Sequence, residues 1–456
     1  MEFNYNSELG CFVDAFTYGI ATFGQSRIDL ISEAIETPIV TQPTLSESEI
    51  FEWRNKIRST AQNNNDPDSD KKIRELVKSL ETTRFNKVIH LMKSNSIQNR
   101  FIDFWSNHLC ISDAGSKLVM LPFLAQYEAE VIGKNIFSKY EDMLYASAIS
   151  GGMLSYLNNI QNVDPDSQAG KRFGLNENYA RELLELHTVS VSSNYTQEDV
   201  TNIAYLLTGW TVNFRSADPK VLFSNKRSTN KKINFFGKVF EAGNSDSLKN
   251  LIIFLARHPK TAEHVTEKMF KFFISEKIDK VFHKKLIQTW INTNGDLREI
   301  SYQLMSYDKL LSYKKTKFRS PQEWSFLIAV LFSKILKNDP DYIQHDNIDF
   351  KSVSPLQKVS LLTNKAMKDM GQVIWAAPSP KGWDISDEGW LSADSISMKL
   401  DYSYQLSENK LVGRVGNDFI EEFFPDLSNK TKSIISSSDS DLHLSLLLIS
   451  PDLLRR

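Results

Sequence analysis

The chain of 456 residues sets 54 Lys and Arg against 56 Asp and Glu, a formal net charge of −2, with 41% hydrophobic residues and two cysteines, Cys11 and Cys110. That make-up belongs to a globular protein able to bury a large core, and it excludes a disulfide framework, a disordered polyelectrolyte and any global attraction to nucleic acid or anionic membrane. The longest apolar run, LIIFLA at 251–256, is far below the ~18–20 residues of a bilayer span, and neither a Lys or Arg nor a signal-length apolar core precedes Arg27, so a cytoplasmic protein without a transmembrane segment is expected.

In chain order, helical periodicity predicts helices over 71–94, 99–110, 117–132, 138–160, 176–188 and 197–208, then 246–256, 259–275, 283–293, 296–311, 321–337, 355–371 and 441–455. In TQEDVTNIAYLLTGW, Thr196 is an N-cap, Glu198 and Asp199 suit the positive helix start, and Gly209 can close the end. Between the helices of the two halves, residues 211–240 alternate β-branched and aromatic residues with polar turns, which predicts a small irregular or β insertion. Turn-forming breaks fall at 63–70, 162–170, 338–350 and 436–441, and none is long enough for a tether. No repeat of solenoid length is present. The expected fold is therefore mainly α, a compact multi-helix domain over 1–456, either single or built as two closely packed helical lobes.

Familiar chemical signatures are missing: no phosphate loop, no dinucleotide fingerprint, no nucleophile elbow and no His-Glu-x-x-His. The histidines, at 90, 108, 187, 258, 264, 283, 345 and 443, offer no ligand pair on one helix face, so neither a metal nor another cofactor is expected. The polar stretch GLNENYARELLELHTVSV is the most informative segment. As a regular helix it gathers Asn178, Arg181, Glu182 and Glu185 on one arc of roughly 100°, with Tyr179, Leu183, Leu186 and His187 on the other side. Arg181 can pair with Glu177 and Glu185 at i±4, contributing a few tenths of a kcal/mol on a solvated face. On an internal cleft the same two carboxylates beside an Arg would serve as acid and base. His187 is expected as a core or helix-end histidine.

The run GLNENYARELLELHTVSV followed by YTQEDVTNIAYLLTGWTV resembles the signature of the bacterial "domain of unknown function 1800" family. The resemblance extends in order through ATFGQS (21–26), FWSNHLCIS (104–112), MLSYLNNIQN (153–162), RHPKTAEHVTEKMFKFF (257–273), KFRSPQEW (317–324), MGQVIWAAPSPKGWD (370–384), EGWLSADSI (388–396) and LLLISPDLLRR (446–456). It implies a predominantly helical protein, often exported and often encoded beside a phosphatase/sulfatase-like protein, and it implies no particular reaction. This chain departs from the family pattern in places. Ile20 precedes ATFG where an Arg is usual, Asn158 stands in a Leu-Asp-Asn position, Ser106 replaces a common His, and a usual His-Asp pair is missing from 225–237.

Those departures remove groups that a family active site would use, so the expected function is a non-catalytic partner or scaffold of a phosphatase/sulfatase-like protein. The alternative is a carboxylate-dependent enzyme of hydrolase or lyase type, with Glu182, Glu185, Arg181, Asn178 and His187 as the catalytic candidates. Asn107, His108, Trp210 and Trp383 are the binding candidates brought to it by folding. A further alternative is anion or nucleic-acid binding through 215–238. There Arg215, Lys220, Lys226, Arg227, Lys231, Lys232 and Lys238 outnumber Asp218, with Phe214, Phe223, Phe235 and Phe236 interleaved. A solvated lysine-rich loop accounts for the same composition. Pro378, Pro380, Gly382 and Gly389 predict a defined loop that sets Trp383 and Trp390 over a cleft or onto the core.

Overall fold

A computed structural model describes residues 7–20, 25–62, 68–114, 120–170, 173–213, 220–335, 355–408, 420 and 422–456. The block ATFG (21–24), residues 117–119 of one expected helix, the turn-rich 338–350 and Phe214, Arg215 and Asp218 lie outside them. The fold is mainly helical. Four helices open the chain, α1 (Ser7–Phe16), α2 (Arg27–Glu36), α3 (Glu47–Gln62) and α4 (Ser69–Lys93), and lead into α5 (Ser96–His108). Next come α6 (Leu124–Gln126), which continues as a π-helical turn at Tyr127–Ile132, then α7 (Tyr140–Ala148) and α8 (Gly151–Tyr156). The break inside the expected 138–160 helix is set by Ser150, whose side chain caps α8 by accepting from Met153 N at 3.0 Å.

The 174–191 stretch folds as a short helix, α9 (Asn178–Glu182), that widens into a π turn at Leu183–His187. After it α10 (Gln197–Leu207) carries a full capping box between Thr196 and Asp199. Two antiparallel hairpins follow. β1 (Trp210–Asn213) pairs with β2 (Lys220–Phe223), and β3 (Lys232–Phe235) pairs with β4 (Lys238–Glu241). The second half is helical again: α11 (Ser245–Ala256), α12 (Pro259–Phe273), α13 (Lys280–Thr293), α14 (Leu297–Met305), α15 (Pro321–Ile335), α16 (Pro355–Asp369) and α17 (Ala393–Glu408). Shorter helices at Asn429–Ser436, His443–Leu448 and Pro451–Leu454 follow. No helix among the described residues is long and apolar enough to cross a membrane.

The buried side chains form two hydrophobic clusters. One runs from α1 and α5 through α7–α14 and includes Phe101, Trp105, Leu184, Phe273 and Trp290. The other is built on α15, in which Trp324 and every residue from Phe326 to Phe332 are buried, together with α4, α16, α17 and the last helices. A helix apolar all round needs cover on every side, which explains why α15 is enclosed by the second cluster. Trp375 packs against both clusters. Residues 317–319 pair in extended conformation with 454–456, through Lys317 N to Arg456 O at 3.0 Å and Arg319 N to Leu454 O at 2.8 Å. That pairing draws the end of the described chain in beside α5 and α12.

Candidate functional site

Arg100, Asp103 and Asn107 recur at i, i+3 and i+7, so one face of α5 presents them together, and Cys110 follows just past the helix end. With Ser106 they form one wall of a solvent-open cleft. Lys87 of α4, Glu128 of the first π turn, Lys317, Glu323, Trp375, Trp383, Asp384, Trp390 and Arg456 line the rest. Four cations thereby meet four carboxylates in one space: Lys87, Arg100, Lys317 and Arg456 against Asp103, Glu128, Glu323 and Asp384.

Glu323 is fixed first by its own helix. In FRSPQEW, Pro321 begins α15, Ser320 Oγ accepts from Glu323 N at 3.2 Å, and Glu323 Oε2 accepts from Ser320 N at 3.1 Å. The other oxygen, Oε1, lies 2.8 Å from Arg456 Nη2 and 2.8 Å from Arg100 Nη2. Burial works against its charge, but Arg456, Arg100, Lys317 and Arg319 together hold it well below the ordinary carboxylate range. Arg456 also donates to Phe273 O at 2.8 Å and to Phe272 O. Arg100 spreads its guanidinium over the Phe272 ring, 4.6 Å from the centroid, and its Nε has no hydrogen-bond partner among the described residues.

One turn further along the same α5 face, Asp103 accepts from Tyr18 Oη at 2.6 Å and lies 3.6 Å from Lys87 Nζ. Lys87 bonds Glu128 Oε1, and Trp375 Nε1 donates to Glu128 Oε2 at 2.9 Å. Burial raises the Asp103 carboxyl above its ordinary value, and this outweighs the opposing pull of Lys87 and Tyr18. The cleft therefore holds two carboxylates pushed in opposite directions.

The rim is built by backbone as much as by side chains. The Asn107 amide clamps Trp383 by donating to its carbonyl at 3.0 Å and accepting from its N–H at 2.7 Å. Gly382 makes the turn with φ +82°, and a Cβ there would lie 2.4 Å from Asn107 O. Trp390 stands with its ring centroid 6.0 Å from that of Trp383 and donates Nε1 to Asp384 O at 2.7 Å. Trp375 is held at φ +56°, in the left-handed region that a bulky residue adopts only under constraint. Its carbonyl accepts from Asp113 N at 3.1 Å.

Of the residues expected from sequence, Asn107 and Trp383 meet here. His108, next to Asn107, points the other way. Tyr140 Oη donates to His187 O and lies 3.0 Å from His108 Nε2, so that ring carries its proton on Nε2 and accepts at Nδ1 from Lys268 Nζ at 3.1 Å. Burial, then Lys268, His264 and His187, depress the His108 ring far below its ordinary value. His187 is 0% exposed, neither ring nitrogen has a hydrogen-bond partner among the described residues, and burial with Lys268 and His264 lowers it to about 3.

The π turn at Leu183–His187 breaks the regular 100° progression, so the expected arc on the 178–187 stretch is not continuous. Arg181, its side chain 42% exposed, bonds Gln197 Oε1 at 2.9 Å and pairs with Glu177 at 3.4 Å. Glu185 accepts from Tyr195 Oη at 3.5 Å, Asn178 Nδ2 donates to Leu157 O at 3.1 Å, and Glu182 is half-buried, raised by burial and then by Glu185. None of this set lines the cleft.

Trp210 is buried in β1 against Phe223. The basic stretch is dispersed. Arg227 donates to Ile160 O and stacks over Phe173, Lys231 pairs with Asp166 at 3.3 Å and sits 4.0 Å over the Tyr205 ring, and Lys232 pairs with Glu241 at 3.4 Å. Lys226 is exposed, with its carbonyl taken by Ala169 N at 3.2 Å.

Sequence reasoning passed over Lys87, Arg100, Asp103, Glu128, Lys317, Glu323 and Arg456. The available signal was the set of separate blocks FWSNHLCIS, KFRSPQEW, MGQVIWAAPSPKGWD and LLLISPDLLRR, which fold onto one cleft. Among the described residues no three His, Cys, Asp or Glu gather as a metal site. The chain belongs to the family described as "Protein of unknown function (DUF1800)", whose model matches residues 14–455. Comparison with curated proteins and with solved structures finds no match.

Proposed function

We propose that the chain is a carboxylate-dependent enzyme of hydrolase or lyase type working in the α5 cleft, rather than at Glu182. The observation that carries this reading is a solvent-open cleft in which Asp103 is raised and Glu323 lowered from their ordinary values. A buried carboxyl of raised pKa is the natural proton donor of such a pair, and the ionised partner, with its arginines, is a fixed field against which charge develops. The strained Trp375 backbone beside the cleft adds support, since such strain concentrates where geometry is functional.

A thermal-shift screen of polar small molecules against the wild type and Trp383→Ala sorts cleft ligands from the rest, and mass spectrometry then follows turnover of the cleft ligands. Asp103→Asn is expected to keep the ligand-induced shift and lose the turnover. Turnover that survives Asp103→Asn would sink the proposal.

A second reading has one observation in its favour. Asp103, Glu128 and Glu323 already have cationic partners, as structural braces would. On that reading the chain is a non-catalytic partner or scaffold of a phosphatase/sulfatase-like protein. Co-purification with such a neighbour, unaltered by Asp103→Asn and without turnover, would favour it.

A further inference from the structure

We infer that the cleft takes a saccharide, one sugar ring lying against the Trp383 and Trp390 pair at its mouth; this rests on the reading of the cleft as the working site. The charge count is balanced, and Lys87 with Glu128 and Arg456 with Glu323 pair off inside it, so the walls carry no net charge to select an anion or a cation. Neutral and directional groups also face a ligand. The Gln372 carbonyl oxygen accepts from Gln322 N at 2.8 Å, and among the described residues the Gln372 amide nitrogen and the Gln322 side chain have no other hydrogen bond. Asp384, exposed at the mouth, is held below its ordinary value, for its bonds from Ser386 outweigh its partial burial. An ionised carboxylate accepts from adjacent hydroxyls.

Aromatic faces complete the set. Trp383 and Trp390 both line the opening, tilted by 53°, and both are partly exposed. An aromatic face covers the C–H face of a sugar ring while amides and carboxylates meet its hydroxyls, a division that suits a polyhydroxylated neutral ligand better than an apolar one. The rim is also preformed. The Asn107 clamp and the Gly382 turn hold Trp383 in place before any ligand arrives.

Intrinsic tryptophan fluorescence and calorimetry of the full chain with cellotetraose, maltotetraose and chitotetraose test the inference, with citrate and glucose 6-phosphate as charged comparisons. The expected result is binding of at least one neutral oligosaccharide, weakened roughly tenfold or more by Trp383→Ala and by Trp390→Ala with the melting temperature kept. Trp383→Phe, which retains an aromatic face, should recover part of the affinity. If the charged compounds bind in a Trp383-dependent way and the three oligosaccharides do not, the saccharide inference is overturned while the cleft stands as the working site. If no compound of either kind binds in a Trp383-dependent way, the inference and the cleft reading fall together.

Discussion

Glu323 and His187 illustrate opposite uses of a buried polar side chain. Glu323 serves as a helix cap and also as the anion between two arginines, so its removal strands both. Glu323→Ala is expected to cost about 3–5 kcal/mol in equilibrium denaturation, because uncompensated buried charge remains. His187 satisfies nothing, since both its ring nitrogens lack partners among the described residues. His187→Leu is expected to hold or raise stability, by up to about 1 kcal/mol, because an unsatisfied polar group is exchanged for an apolar one.

The pH dependence has a definite sign. The folded-state pKa of about 3 lies below the ordinary 6.5, so the unfolded chain binds a proton first as pH falls through that window. Its contribution to stability is complete above about pH 6.5 and is lost toward pH 3, and His264, lowered to about 4, acts in the same direction. His187→Leu should therefore lose less melting temperature between pH 7 and pH 5 than the wild type. Arg181→Ala, at an exposed pair, should change stability by less than about 0.5 kcal/mol. A loss of several kcal/mol there would mean that the 178–187 set braces the fold.

At the scale of elements, the sequence is most legible where local rules act alone. The cap at Thr196 and the helices of the second half follow from spacing and capping residues. The small β insertion expected over 211–240 takes the form of two hairpins. The π turn does not follow from local rules. LLELH continues a regular helical pattern, and the widened turn emerges only where Thr188 Oγ1 reaches Leu183 O at 2.6 Å and Ser190 N reaches Leu184 O at 2.8 Å. The arc drawn on a uniform helix therefore misjudged which residues share a face.

The loop at 377–390 is legible as a defined loop, because Pro and Gly restrict it, but Trp383 docks on Asn107, 276 residues away. Gly382→Ala tests that docking. Its φ of +82° and the 2.4 Å approach to Asn107 O both oppose a Cβ. A loss of about 1–3 kcal/mol is expected, with faster hydrogen exchange confined to the loop and the end of α5. An unchanged exchange pattern would mean that the clamp does not set the rim.

Over the whole molecule, periodicity could announce many helices but not which faces meet. The cleft lies along the seam of the two hydrophobic clusters, and its charged residues come from α4, α5, the first π turn, Lys317 and α15, Asp384 of the Trp383 loop, and residue 456. In sequence each of these looks like an ordinary ion-pairing residue on its own helix, since the partners are distant, as with Lys87 and Glu128 or Arg456 and Glu323. The 174–191 stretch stands out because the family resemblance is densest there, whereas the buried ion pairs gather along α5.

An acid–base cleft requires Asp103 and Glu323 to titrate apart. Carboxyl-carbon NMR titration of the wild type, with Asp103→Asn and Glu323→Gln assigning the two resonances, measures this directly. The predicted result is an Asp103 midpoint above 3.8 and a Glu323 midpoint below 4.5, with Glu323 still ionised when Asp103 has taken up its proton. Both midpoints at their ordinary values, or Asp103 ionised at lower pH than Glu323, would contradict it.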